Sequence, residues 1–206
     1  MSKKIRERDS IFTHKPIDLA NLAHIQQEVL LAIGSFRFTH NTLHDVHSPE
    51  WFDNCTYLKQ EVDKLVPWNL VRQIHVISHE PGITYSKQTN LTAHIDDLRS
   101  PRGLLNGLAF NIPIYNCNDT ACDFYEALSP PTLVTPAFLT SKGNAFDKSF
   151  WAFTNIRSID SMKGNTACIF NTQVPHMPVN TTKEHRIVLS LRYPHEINIT
   201  EYFKEE

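Results

Sequence analysis

The sequence predicts a mainly β domain with helices flanking one side, and three observations carry that expectation. Helical periodicity is confined to the first third of the chain. From residue 70 onward, short apolar segments alternate with Gly, Pro, Asn and Ser. No internal repeat or low-complexity linker divides the 206 residues, so 1–206 is read as a single domain. That length is not far above the roughly 150 residues of a common domain.

The helical part is expected over 1–68. Between 17 and 33, apolar residues recur at Leu19, Leu22, Ile25, Val29 and Ile33, which makes one buried stripe. Pro16 ahead and Gly34 behind punctuate this helix. A second helix is expected from Ser48, a good N-cap, with Pro49 at the first helical position and Glu50 beside the positive end of the dipole. It runs through Trp51, Tyr57, Leu58, Val62 and Leu65 and stops at Pro67.

The β core is expected over 70–193. Strand-like runs appear at 70–78, 104–115, 149–156, 166–171 and 186–193, each four or more residues long and bounded by turn formers. Many short strands after a helical start point to an antiparallel sandwich or barrel backed by helices. The 116–147 stretch, with Pro130, Pro131 and Pro136, reads as an elaborated loop or small subdomain over a site. Within it, 122–128 (CDFYEAL) reads as a short helix.

Composition limits the function classes. Lys plus Arg is 20 and Asp plus Glu is 22, a net charge of −2, so no basic surplus drives the chain onto nucleic acid. The polar start MSKKIRERDS and the absence of a long apolar run predict a cytoplasmic protein without a membrane span. Cys55, Cys117, Cys122 and Cys168 form no CxxC pair and are expected as free thiols, Cys117 and Cys122 flanking a turn. There is no Gly-rich phosphate loop, no G-x-S-x-G elbow and no HExxH, which removes kinases, α/β-hydrolases and zincins. Eleven histidines are the compositional oddity.

Two segments carry chemistry. In 90–97 (NLTAHIDD), an extended backbone puts His94 and Asp96 on one face and Asp97 on the other. In 170–193 (FNTQVPHMPVNTTKEHRIVLSLRY), His176 lies in a turn-rich stretch. Ten residues on, Arg186 opens a strand whose residues Arg186, Val188 and Ser190 share one face. Two imidazoles and one carboxylate leave three positions open on Fe(II). A keto acid can take two and dioxygen the third, while a guanidinium pairs the far carboxylate of that acid.

The order H-x-D, distal His, Arg resembles the Fe(II)/2-oxoglutarate-dependent oxygenases. The run ACIFNTQVPHMPVNTTKEHRIVLSLRYPH is similar in layout to the C-terminal strands of the aspartyl/asparaginyl β-hydroxylase and proline-hydroxylase-like branch, and GLAFNIPIYNC to the strand after its proximal ligands. The resemblance covers roughly 70–193 and implies a double-stranded β-helix (jelly-roll or cupin-like) core behind N-terminal helices. It implies His94, Asp96 and His176 as iron ligands, Arg186 as the anchor of 2-oxoglutarate, and Asn111 as a further hydrogen-bonding group for that cosubstrate. The implied activity is hydroxylation of an amino acid, a peptidyl side chain or a small metabolite with dioxygen, releasing succinate and carbon dioxide. The 82-residue interval from His94 to His176 makes 116–147 an insertion relative to compact members. Ala109 stands where a second basic group is expected, leaving Arg99 or Arg102 as substitutes.

Other residues read more plainly. His185 adjoins Arg186 and faces the other way, so His176 is preferred as the ligand. Arg192 shares the face of Arg186 but lies about 20 Å along the strand and reads as a rim cation. His75 and His79 read as ordinary polar positions, His44 and His47 as loop residues, and Phe150, Trp151 and Phe153 as core aromatics. The alternatives are a non-catalytic jelly-roll that binds a small acid or serves assembly, and a metal-dependent cupin enzyme that does not use 2-oxoglutarate. The oligomeric state is not legible.

Overall fold

A computed structural model describes residues 12–34, 43–82, 93–96, 99–100, 103–134, 137–139, 145–147, 150–199 and 201. The first part of the chain holds β1 (His14–Ile17), α1 (Leu22–Ile33), β2 (Leu43–His47), a 3-10 turn (Pro49–Phe52) and α2 (Thr56–Asp63). A second 3-10 turn (Trp68–Leu70) leads into β3 (Gln73–His79), β4 (Ala93–Ile95), β5 (Arg99–Ser100) and the long β6 (Gly103–Tyr115). Then come β7 (Thr120–Ala127), β8 (Thr132–Val134), β9 (Ala137–Leu139), β10 (Ala145–Asp147) and β11 (Phe150–Phe153). The chain closes with β12 (Ile156–Lys163), β13 (Ala167–Asn171), β14 (His176–Asn180) and β15 (Arg186–Pro194).

The protein is mainly β. One sheet has the order β1-β13-β6-β15-β3-β2-β9-β10, with β5 paired to β6; the other has the order β12-β7-β14-β4-β11-β8. All pairings are antiparallel except the contact of β2 with β9. Strand β15 shows how the layers divide. Its Ile187, Leu189, Leu191 and Tyr193 pack with Ile74 and Val76 of β3, Phe110 and Ile112 of β6, and Ile25, Val29, Leu58 and Val62 of the helices. Its Arg186, Val188, Ser190 and Arg192 turn the other way, toward the second sheet. A smaller cluster of Cys122, Phe124, Met162, Cys168, Phe170 and Val174 fills part of the space between the sheets. All four cysteines are free and buried, and no described helix is long and apolar enough to cross a membrane.

The apolar stripe of α1 is as expected, with Ile25 and Val29 fully buried, and Gly34 ends the helix at φ 63°. Its start is later than expected. Pro16 lies inside β1, an edge strand where its missing N–H is tolerated, and the helix begins at Leu22. The second helical segment is broken into a 3-10 turn and α2, and Ser48 makes no side-chain cap. The carboxylate of Glu28 on α1 instead accepts from the Tyr57 and Leu58 amides at the start of α2. That bond ties the two helices together end to side.

Three further expectations are corrected. His44 and His47 belong to β2, not a loop. Residues 122–128 are no helix, because 120–127 form β7, a strand between β12 and β14 with Cys122 and Phe124 turned inward. The expected loop at 116–147 therefore supplies a strand inside the second sheet. The sheets also meet at an edge: His14 of β1 and Thr13 just before it both bond Asp160 of β12, whose carboxyl is held below its usual range chiefly by the Thr13 hydroxyl.

Gly164, in the turn between β12 and β13, donates its amide to the Thr120 carbonyl at 2.7 Å. A Cβ there would lie 1.9 Å from Thr120 Oγ1 and 2.9 Å from the Thr120 carbonyl carbon and oxygen. The backbone has nowhere to go, so Gly164→Ala is expected to destabilise the fold by about 1–3 kcal/mol, read as a lower urea midpoint with an unchanged slope.

Candidate metal centre

The site is built on neighbouring strands of the second sheet. His94 of β4 stands directly opposite His176 of β14, so both imidazoles leave the same face. Asp96 lies two residues past His94 and returns to that face. Its amide donates to Thr172 O at 3.0 Å, and Gln173 Nε2 donates to the Asp96 carbonyl at 3.0 Å. The 172–173 turn rests in turn on β6, where the amide and hydroxyl of Thr172 both donate to Gly107 O. Backbone contacts on both sides thus hold the carboxylate at the end of β4.

The three side chains converge. Nε2 of His94 and Nε2 of His176 each lie 3.9 Å from Asp96 Oδ1, and the three donor atoms are within 4.8 Å of one another. The two rings are 4.6 Å apart between centroids. His176 and Asp96 are buried and His94 half-buried. A set of two imidazole nitrogens and one carboxylate oxygen, all on one side of a point, can hold a metal ion and leave its remaining positions open.

The supporting contacts fix each donor. Arg192 Nη2 donates to Asp96 Oδ2 at 2.7 Å, a buried ion pair that occupies one carboxylate oxygen and leaves Oδ1 facing both imidazoles. His176 Nδ1 donates to Val174 O at 2.9 Å, which makes Nε2 the free lone pair. Burial, then the nearby His94, pushes the His176 pKa down to about 3, so the ring stays in its neutral, ligating form. Phe170 meets that ring edge-on at 4.7 Å and supplies an apolar wall.

A second polar group lies farther along the inner face. Arg186 is 3% exposed and donates Nη1 to Ala121 O of β7 at 2.7 Å, while its Nε has no partner. Directly opposite Arg186 in the ladder stands His79, buried, with Nδ1 unpartnered. Burial and then Arg186 hold His79 well below its ordinary pKa, with smaller contributions from His44, His94 and His176. Ser190 and Asn111 are opposite one another on β15 and β6, and Ser190 Oγ and Asn111 Oδ1 are both buried and unpartnered. Each such atom costs about 1–3 kcal/mol when nothing bonds it. Beside them runs a chain of bonds from His44 Nε2 to His75 Nδ1 (3.0 Å) and from His75 Nε2 to Gln73 Oε1 (3.2 Å).

His94, Asp96 and His176 thus come together from positions distant in sequence, and Arg186 and Asn111 lie on the inner face of the first sheet. His185 faces the helices and bonds Ser78 Oγ at 2.9 Å. Arg192 is corrected: it is no rim cation but the buried partner of Asp96. The 20 Å expectation ran along one strand, whereas the partner lies across the gap between sheets. It is also the cross-strand neighbour of Ala109, so it supplies the basic group that Ala109 lacks. His44, His75 and His79 are corrected from ordinary polar or loop positions to the buried interior. The signal for His75 and His79 was their same-face spacing with Gln73 on a strand that also carries Ile74, Val76 and Ile77. Asp97, Arg102 and the side chains of Arg99 and Phe150 lie outside the described residues. No protein-family model and no curated protein matches the chain.

Two outcomes are expected. Arg192→Met leaves Asp96 buried without its counter-charge, so a proton competes for the carboxylate. Its affinity for Mn(II), read by calorimetry at pH 7, is expected to fall about 10- to 100-fold, with Arg192→Lys between the two. In the metal-free protein the unfolded chain binds protons that His176 and His79 refuse when folded. Stability should therefore be full above the unfolded imidazole pKa of about 6.5 and fall toward pH 3, by at most about 1.4 kcal/mol per pH unit per imidazole. Urea unfolding at pH 7 and pH 5 measures the loss, and His176→Leu should shrink it.

Proposed function

We propose that the chain is an Fe(II)/2-oxoglutarate-dependent oxygenase, a hydroxylase of an amino acid, a peptidyl side chain or a small metabolite. The observation that carries this reading is the pairing of two features on the facing inner surfaces of the two sheets. One is the His94–Asp96–His176 donor set. The other is Arg186, a buried guanidinium that no carboxylate meets among the described residues. A buried cation without a counter-ion costs several kcal/mol, so an anionic ligand fits this position better than water does. Arg186 reaches Ala121, three residues along β7 from Phe124, and Phe124 is the neighbour of His176. Three residues of strand are about 10 Å, a span that a five-carbon diacid bound to the metal at one end can bridge.

The strand order supports a double-stranded β-helix. Strands β13-β6-β15-β3 sit side by side in one sheet and β12-β7-β14-β4 in the other, and successive members of this set alternate between sheets except β7 and β12, which pair with each other. That order is compatible with an eight-stranded jelly-roll, in which the ligands of one sheet would face the basic residues of the other.

Bound Fe(II) supplies dioxygen activation, coupled to decarboxylation of the keto acid: 2-oxoglutarate, dioxygen and a C–H bond give succinate, carbon dioxide and a C–OH bond. The protein's own residues do the rest. His94, His176 (kept neutral by burial) and Asp96, oriented by Arg192, would hold the metal. Arg186 binds the distal carboxylate. Phe170 and Phe124 exclude water on the side of β7 and β13.

Anaerobic addition of Fe(II) and 2-oxoglutarate is expected to give a weak visible charge-transfer band. Asp96→Ala should lose it by losing metal, and Arg186→Ala by losing the keto acid while Fe(II) still binds. Wild-type protein that binds Fe(II) but shows neither band nor succinate release at millimolar 2-oxoglutarate overturns the reading in favour of a cupin enzyme of another type.

A further inference from the structure

We propose that His79 is a binding residue for the same ligand carboxylate as Arg186, so that the distal end of the diacid is held by an imidazole–guanidinium pair formed across β3 and β15. The inference rests on the oxygenase reading and adds a residue and a geometry to it.

Register comes first. His79 and Arg186 are directly opposed in the antiparallel ladder, which places their Cβ atoms about 4.5–5.5 Å apart on one face. Arg186 turns inward, as its bond to Ala121 of the facing sheet shows, so His79 turns inward with it. The backbone is pinned there: Asn180 Nδ2 donates to the carbonyls of His79, Glu80 and Glu184, tying the end of β3 to the turn that precedes Arg186. Asn116 Nδ2 donates to Thr182 Oγ1 and to the carbonyls of Glu184 and His185. A residue held this firmly keeps its side-chain direction.

Chemistry comes second. His79 Nδ1 and Arg186 Nε are both buried nitrogens without a partner, on adjacent strands. Two donors side by side suit two oxygens of one carboxylate, or both lobes of one. The imidazole enters as the Nδ1–H tautomer and needs no charge of its own, since Arg186 already supplies it. An apolar residue opposite Arg186 would serve packing equally well and leave no orphaned atom. The imidazole is explained by a ligand that accepts from it.

The test titrates anaerobic Fe(II)-loaded protein with 2-oxoglutarate and, separately, with pyruvate, following the charge-transfer band. Pyruvate keeps the keto-acid chelate and lacks the distal carboxylate. His79→Leu is expected to weaken 2-oxoglutarate roughly 10- to 100-fold, the range for a hydrogen bond to a charged group, and to leave pyruvate unchanged. His79→Asn keeps an N–H donor near the Nδ1 position and should recover most of the loss, with thermal unfolding confirming that all variants are folded. If Arg186→Ala weakens 2-oxoglutarate and His79→Leu does not, the inference fails while the oxygenase reading stands. Equal weakening of both keto acids in His79→Leu also overturns it, since that marks a general disturbance. A wild-type protein that binds Fe(II) and neither keto acid removes the reading and the inference together.

Discussion

A carboxylate taken out of water has to be met by opposite charge, and the meeting of Asp96 with Arg192 organises the inner face of this protein. Asp96 belongs to the end of one sheet and Arg192 to the middle of the other. Their bond spans the gap between the layers and decides which oxygen of Asp96 faces the two imidazoles. Without it, the same histidine pair would stand beside a group free to rotate or to take up a proton. The pair is therefore less a source of net stability than a device for orientation, since desolvating both charges offsets much of their attraction.

The rest of the interior follows the same logic of charge without solvent. Guanidinium groups sit at two positions of β15, six residues apart, and the imidazole of His79 stands directly opposite the first. One cation meets a carboxylate, and the other meets a backbone carbonyl and no carboxylate among the described residues. Burial keeps His79 and His176 neutral, so positive charge does not accumulate where two arginines already lie. Eleven histidines in 206 residues is unusual, and His44, His75, His79, His94 and His176 lie on the inner faces of the two sheets.

Much of this was legible in the chain, and the part that was not has physical causes. The H-x-D spacing, the distal histidine and the strand opened by Arg186 depend on local period-two geometry, which a sequence displays directly. Strand β14 was obscured by Pro175 and Pro178. The Pro175 carbonyl accepts from Tyr125 of β7, so position 178 faces the β4 side, where pairing stops at His176 among the described residues. A proline there gives up no ladder bond among the described residues. Strand β7 hid because Asp123, Glu126 and Ala127 are helix-compatible, and only the inward set of Thr120, Cys122 and Phe124 betrays its alternation. Arg192 could not be placed from spacing alone, because sequence distance along a strand says nothing about what faces it across a layer. The Glu28 cap on α2 was hidden for the same reason.

The two histidines at the centre of the site share a single rung between β4 and β14. Side chains alternate in direction along a strand, so sliding either one by a single position would send an imidazole out of the space between the sheets. Drift by two positions keeps the direction and changes only the depth. The evolutionary freedom of this centre is thus governed by parity: changes within these strands are admissible in even steps, and an odd one abolishes the site at a stroke.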